Sequence, residues 1–228
     1  MYPYYMDSTM LLILPAFVLA MWAQYNVKST FKKYSNVSTH NGKTAAEVAS
    51  MLLQRAGIPN ITVNRVAGQL TDHYDPRKKT IGLSESVYGS TSIASIGVAA
   101  HECGHAIQHN IGYSPLMIRN AIVPVINLSS NLWILLVMLG FFLNAMGLVM
   151  FGIMLFAGVI VFHLITLPVE FNASSRALAM LNNTGTLSSG ELVGARAVLR
   201  AAAWTYVAAA VMAVMQLLRL ILVANRRR

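Results

Sequence analysis

His101, Glu102 and His105 are the residues whose types and spacing could do chemistry together. They stand in the run Val98-Ala99-Ala100-His101-Glu102-Cys103-Gly104-His105-Ala106, an H-E-x-x-H pattern. On a helix, side chains four residues apart lie about 40° apart around the axis and one turn apart along it. Both imidazoles can then reach a single Zn²⁺ ion. The glutamate beside the first histidine can take a proton from metal-bound water, whose pKa zinc lowers to about 7. The chemistry implied is hydrolysis by metal-activated water. Cys103 points about 200° away from His101 and reads as a packed residue rather than a ligand.

A catalytic zinc site usually has three protein ligands and one open position. Glu170, in Leu167-Pro168-Val169-Glu170-Phe171-Asn172-Ala173-Ser174, is the leading candidate for the third ligand. It closes a long apolar stretch, and a carboxylate at a membrane boundary is a functional candidate by default. His109, His163 and His73 are the alternatives. His109 lies two turns beyond His101 and reads as a residue behind the ligands or at the surface. His163 lies seven residues before Glu170, on the same helix face, and reads as a core histidine. His73 falls in a strand region, at the surface or on the substrate side. Pro115 and Leu116 stand where the metzincin pattern would need a histidine. No Asp follows Asp75, so the aspartate ligand of a site-2-type intramembrane protease is absent.

The elements that must position these groups belong to a chain poor in charge. Of 228 residues, 56% are hydrophobic and 11% charged, against about 25% charged in ordinary soluble domains. The net charge of +9 fits basic loops beside anionic lipid better than nucleic-acid binding. One cysteine rules out an internal disulfide framework. The eight carboxylates make Glu102, on an otherwise uncharged helix, stand out. A charge in such a setting is costly without a metal or partner.

Four apolar stretches mark candidate membrane helices: Met10–Ala23, Ala121–Leu143, Met146–Val169 and Ala201–Leu218. The first reads as a retained anchor rather than a signal peptide, because no basic residue precedes it. Its flanking aromatics Tyr4, Tyr5, Trp22 and Tyr25 suit an interfacial belt. The second and third form a helical hairpin about a tight turn flanked by Asn144 and Gly147. Between the first two lies the long polar stretch Asn26–Asn120. Its pattern predicts an amphipathic helix over Thr39–Ala56 and strands over Ile61–Val66, Leu70–Tyr74 and Lys79–Leu83, with a turn at Asp75-Pro76-Arg77-Lys78. A helix over Thr91–Asn110 carries the motif and ends at Gly112 and Pro115. Thr80–Ser84 is the strand expected to hold an extended substrate by main-chain hydrogen bonds. Beyond the hairpin, Glu170–Asn183 continues the third helix, and Glu191–Arg200 begins the fourth.

The fold class expected is mostly α: a multi-pass membrane helical bundle with an active-site helix, a small β element and a zincin-like site. It is one functional domain of four parts: an N-terminal membrane helix (1–25), a cytoplasmic zincin-like part (26–120), a transmembrane hairpin (121–169), and the Glu-ligand helix, loop and C-terminal membrane helix (170–228). Placing Asn26–Asn120 and Glu170–Arg200 on one side gathers 13 of the 17 basic residues there. The positive-inside rule makes that side cytoplasmic. Arg219 and the three C-terminal arginines oppose this assignment if the fourth segment crosses fully.

Longer blocks carry a family resemblance. Asp72-His73-Tyr74-Asp75-Pro76-Arg77, Ile81-Gly82-Leu83-Ser84, and Gly97 through Gln108 resemble the YugP-like family of bacterial membrane zinc peptidases. Leu167 through Ala177 and Thr205-Tyr206-Val207-Ala208-Ala209 look similar too, so the resemblance covers nearly the whole chain. It implies a neutral zinc metallopeptidase of the inner membrane, similar in layout to the HtpX and prenyl-protein-protease group. In that group a Glu-x-x-x-Asp motif supplies the third ligand, and its Glu lands on Glu170. Ser174 stands where the group has Asp, so the carboxylate that usually steadies a ligand is missing, and Asn172 or Ser174 could offer a substitute hydrogen bond. The same analogy asks for a basic residue to stabilise the oxyanion, for which Arg176 and Arg196 are candidates and Tyr206 a weaker one.

The function expected is a membrane-embedded zinc endopeptidase with Zn²⁺ on His101, His105 and Glu170 and Glu102 as general base. Its partners are a protein or peptide substrate and membrane lipid, with membrane-protein partners or a homo-oligomer also open. A membrane scaffold or adaptor with a structural or inert zinc site is the competing class, and a fourth protein ligand, such as His109 or Cys103, would mark it. A transporter is weaker still, since the hairpin holds few polar residues and no carboxylate.

Overall fold

The computed structural model describes residues 8–226, so Tyr4, Tyr5, Arg227 and Arg228 lie outside the described residues. The chain is mostly helical, with one small sheet. A short 3-10 turn (Ser8–Leu12) leads into α1 (Leu14–Ser35); α2 (Ala45–Arg55), β1 (Thr62–Val66), β2 (His73–Asp75), β3 (Thr80–Ser84) and α3 (Glu85–Tyr88) follow. Then come α4 (Ile93–Asn110), α5 (Ser114–Phe142), α6 (Met146–Asn183) and α7 (Ser189–Arg226). Among the described residues four helices are long and apolar enough to cross a membrane.

The long helices follow from composition and length. About 20 residues cross the hydrocarbon core, yet α6 and α7 each have 38. Each therefore continues well past an apolar span, and the residues around Glu170 fall on the continuation of α6. Pro168, inside α6, removes the amide that would meet the Leu164 carbonyl. At the turn between α5 and α6, Asn144 takes a left-handed conformation (φ 52°). Gly147, expected at the turn, is already helical. Pro115 does not merely stop α4; it sits in the first turn of α5, where a missing N–H costs nothing.

The chain divides into two units. One comprises the residues up to Gln24, Ile118–Leu167 and those from Trp204 on; the other comprises Tyr25–Met117 and Pro168–Ala203. In the first, Val137, Val149, Ile153, Phe156 and Ile160 pack with Ala213, Leu220 and Ala224. Gly140 and Gly152 make close helix contact possible: a Cβ on Gly152 would meet the Trp133 carbonyl at 2.8 Å.

The second unit has a core of ordinary soluble type, with Val48, Leu52 and Leu53 of α2, Ile81 and Leu83 of β3, and Ile96, Ala99 and Cys103 of α4 packed together. Ala177 and Leu181 of α6 and Ala195 and Leu199 of α7 complete it. α2 starts six residues later than the expected Thr39. Thr44 and Glu47 form a reciprocal capping box, while Thr39 bonds the Thr91 carbonyl through its N–H and hydroxyl (2.9 and 3.0 Å). β2 starts at His73 rather than at Leu70, whose φ of 56° lies outside the β region.

The sheet order is β1-β3-β2, with β1 parallel and β2 antiparallel to β3. This corrects the substrate-strand expectation. Thr80–Ser84 is the central strand, paired along its length by β1 and over Thr80–Gly82 by β2, with the Ser84 amide held by Asp72 Oδ1 (2.8 Å), so it is not an edge of the sheet. The edges are β1 and β2.

Candidate metal centre

α4 begins at Ser92, whose side chain accepts from the Ser95 amide (3.2 Å). It ends where Gly112 takes φ 64° and the Tyr113 amide reaches the Gln108 carbonyl (2.9 Å), a glycine-dependent stop. The helix is lined with small buried residues, and one of them sets a helix contact. A Cβ on Gly104 would meet the Ala173 carbonyl oxygen at 2.5 Å. Gly104 lies between His101 and His105, and Ala173 between Glu170 and Ser174. This close approach of α4 and α6 thus falls among the four polar side chains that face each other there.

His101 Nε2 lies 3.3 Å and His105 Nε2 3.6 Å from Glu170 Oε2. The three ligand atoms all lie within 4.8 Å of one another. Tetrahedral ligands about 2.0–2.1 Å from zinc stand roughly 3.3 Å apart, so the spacing fits such an ion. The donor set, two imidazole nitrogens and one carboxylate, is that of catalytic zinc. Among the described residues no fourth His, Cys, Asp or Glu joins the cluster. Glu170 is almost fully buried, while the imidazoles keep 16% and 12% exposure, so the histidines retain an approach from solvent.

The opposite ring nitrogens are held as well. Ser174 Oγ meets His101 Nδ1 at 3.2 Å, and Gln108 Oε1 meets His105 Nδ1 at 3.0 Å. Ser174 thus supplies one hydrogen bond at the place of the missing aspartate. Gln108 was not among the sequence candidates. Its signals are visible only afterwards: it sits three residues past His105, and it is a polar side chain with no exposure at all.

Electrostatics favour a cation here. For His105, burial opposes the charged form, but the hydrogen bond to Glu170 and the charges of Glu102 and Glu170 outweigh it, raising its pKa. Glu102, 7% exposed, has its pKa raised by burial, partly offset by His101 and His105. Cys103 is buried against the Ala49 carbonyl (3.6 Å). Burial pushes its thiol pKa up, the reverse of what a thiolate ligand needs.

The remaining candidates are dispersed. His109 Nδ1 bonds Tyr74 Oη at 2.9 Å, tying the helix end to β2. His73 Nδ1 bonds the Thr71 carbonyl (2.8 Å) and covers Gly82 of β3. His163 and Tyr206 fall in the other unit. Arg176 donates its Nε–H to Asn172 Oδ1 (2.7 Å). Arg196 lines a groove of about 400 Å³ with Ser175, Leu178, Ala179, Asn182 and Leu192.

Comparison with known proteins places the chain in a family. A protein of Bacillus subtilis (strain 168) named "Putative membrane protease YugP" is 46% identical over 212 residues, 93% of this chain and 94% of that protein. No solved structure matches. The family described as "Putative neutral zinc metallopeptidase" matches residues 9–225, and the chain belongs to it.

Proposed function

We propose that the protein is a multi-pass membrane zinc endopeptidase whose metal is held by His101, His105 and Glu170, with Glu102 as general base. The observation that carries this reading is the convergence of two imidazole Nε2 atoms from α4 on one carboxylate oxygen from α6. Bound there, zinc supplies Lewis acidity, polarising a carbonyl and making water nucleophilic near neutral pH. Glu102 accepts the proton of the attacking water and returns it to the leaving amide nitrogen as the C–N bond breaks. For the oxyanion we keep Arg176 and Arg196 as the candidates that the family resemblance names.

The substrates are protein or peptide segments, drawn from membrane-associated or misfolded proteins at the cytoplasmic face. The name of the Bacillus relative and the four apolar helices support the membrane setting. The distribution of Lys and Arg supports the side.

Two variants test the reading. Glu102→Gln should keep one zinc per chain and lose hydrolysis of a membrane-protein substrate by about 10²–10⁴-fold. Retained cleavage would remove Glu102 from the mechanism. Glu170→Ala should lower zinc content per chain, and unchanged content would remove Glu170 from the ligand set.

A further inference from the structure

Gln108 is wholly buried and makes three hydrogen bonds: Oε1 to His105 Nδ1 (3.0 Å), and Nε2 to the Val169 carbonyl (2.8 Å) and to Asn172 Oδ1 (3.0 Å). Its orientation is dictated from outside. The Val169 carbonyl can only accept. Arg176 Nε–H can only donate, so the Asn172 atom it touches at 2.7 Å is the oxygen. Both partners of one end of Gln108 are thus acceptors, and that end must be the NH₂ group. The other end is the carbonyl, which must receive a proton from His105 Nδ1. A neutral His105 then carries its hydrogen on Nδ1 and turns a bare Nε2 lone pair toward Glu170.

We infer that Gln108, oriented by Asn172 and Arg176, is a positioning residue that sets the metal-binding tautomer of His105 and holds Glu170 opposite it. The same side chain does both jobs. One end fixes the imidazole on α4, and the other grips α6 at Val169, the residue before Glu170, and at Asn172, two residues after it. A carboxylate at position 108 could accept from His105 but could donate to neither acceptor on α6. Gln therefore does here what the usual ligand-steadying Asp or Glu cannot, because it joins two helices as well as orienting a ring. The inference rests on the zinc-site reading above.

The experiment is competition titration of zinc against a chromophoric chelator, on the full-length chain in detergent. The Co²⁺-substituted electronic spectrum reports ligand geometry, and circular dichroism reports folding. Gln108→Met should weaken zinc roughly 10–100-fold, the range typical of lost outer-shell partners, and alter the Co²⁺ spectrum while helicity is kept. Asn172→Leu should weaken it less. Asn172→Asp, which keeps the acceptor for both Gln108 and Arg176, should restore parental affinity even if Gln108→Met proves unstable. Parental zinc affinity in Gln108→Met or in Asn172→Leu overturns the inference and leaves the zinc site standing. A parent chain that binds no zinc overturns both.

Discussion

The two units bury apolar side chains by different rules. In the second, Leu52, Leu53, Ile81, Leu83 and Ile96 are all but inaccessible and surround the motif helix. In the first, Phe142 is 82% exposed and Met138 65%, and only 11% of the apolar window of α5 is buried. A water-soluble surface does not tolerate such a continuous apolar face. Burial from water drives packing in the second unit, whereas apolar helices within lipid associate by close packing instead. In the membrane setting proposed above, lipid would accept the outward residues of the first unit, and its helices would need only close fits such as Gly152 against Trp133. The second unit buries its own core, and one polar cluster is set among those packed side chains. That is where His101, His105 and Glu170 meet.

The contrast can be broken by paired substitutions. Leu53→Ala, at 1% exposure, should cost about 2–5 kcal/mol in the unfolding of the detergent-solubilised chain. Met138→Ala should stay within about 0.5 kcal/mol, and equal losses would abolish the distinction. Leu128→Lys, on the exposed side of α5, should cost about 3 kcal/mol in apparent membrane insertion. An unchanged inserted fraction would mean that α5 faces water or protein there.

A finer pair lies within α4. Gly104→Ala meets the backbone of Ala173, so relief requires moving α6; we expect a loss of about 1–3 kcal/mol, together with weaker zinc binding. Gly97→Ala places its Cβ 3.6 Å from the nearest atom of Ala195, an ordinary contact, and should be neutral or gain up to about 1 kcal/mol from helix propensity. Similar melting shifts for the two would deny Gly104 its spacing role. Smallest of all, Thr44→Ala removes the cap of α2 and should cost about 1 kcal/mol by thermal unfolding.

Several misreadings share a cause. The helix expected from Thr39 begins only at Ala45, where its apolar positions start and the capping box at Thr44 and Glu47 fixes the end. Thr80–Ser84 has the pattern of a strand and is one. Its central place depends on pairing with β1, eighteen residues upstream at each register position, and no local signal reports that pairing.

The sequence by itself determined the apolar spans, the hairpin between α5 and α6, and the shared face of His101 and His105. Each follows from composition, length or the helical repeat within one stretch of chain. Only the tertiary structure decided which carboxylate faces the histidines and which groups hold their far nitrogens. Glu170 is 69 residues from His101, Ser174 is 73 residues from it, and Val169 is 61 from Gln108. Contacts at that separation are set by how closely α4 and α6 approach. That approach depends on Gly104 lacking a side chain beside the Ala173 carbonyl, a spacing that no single stretch of sequence encodes.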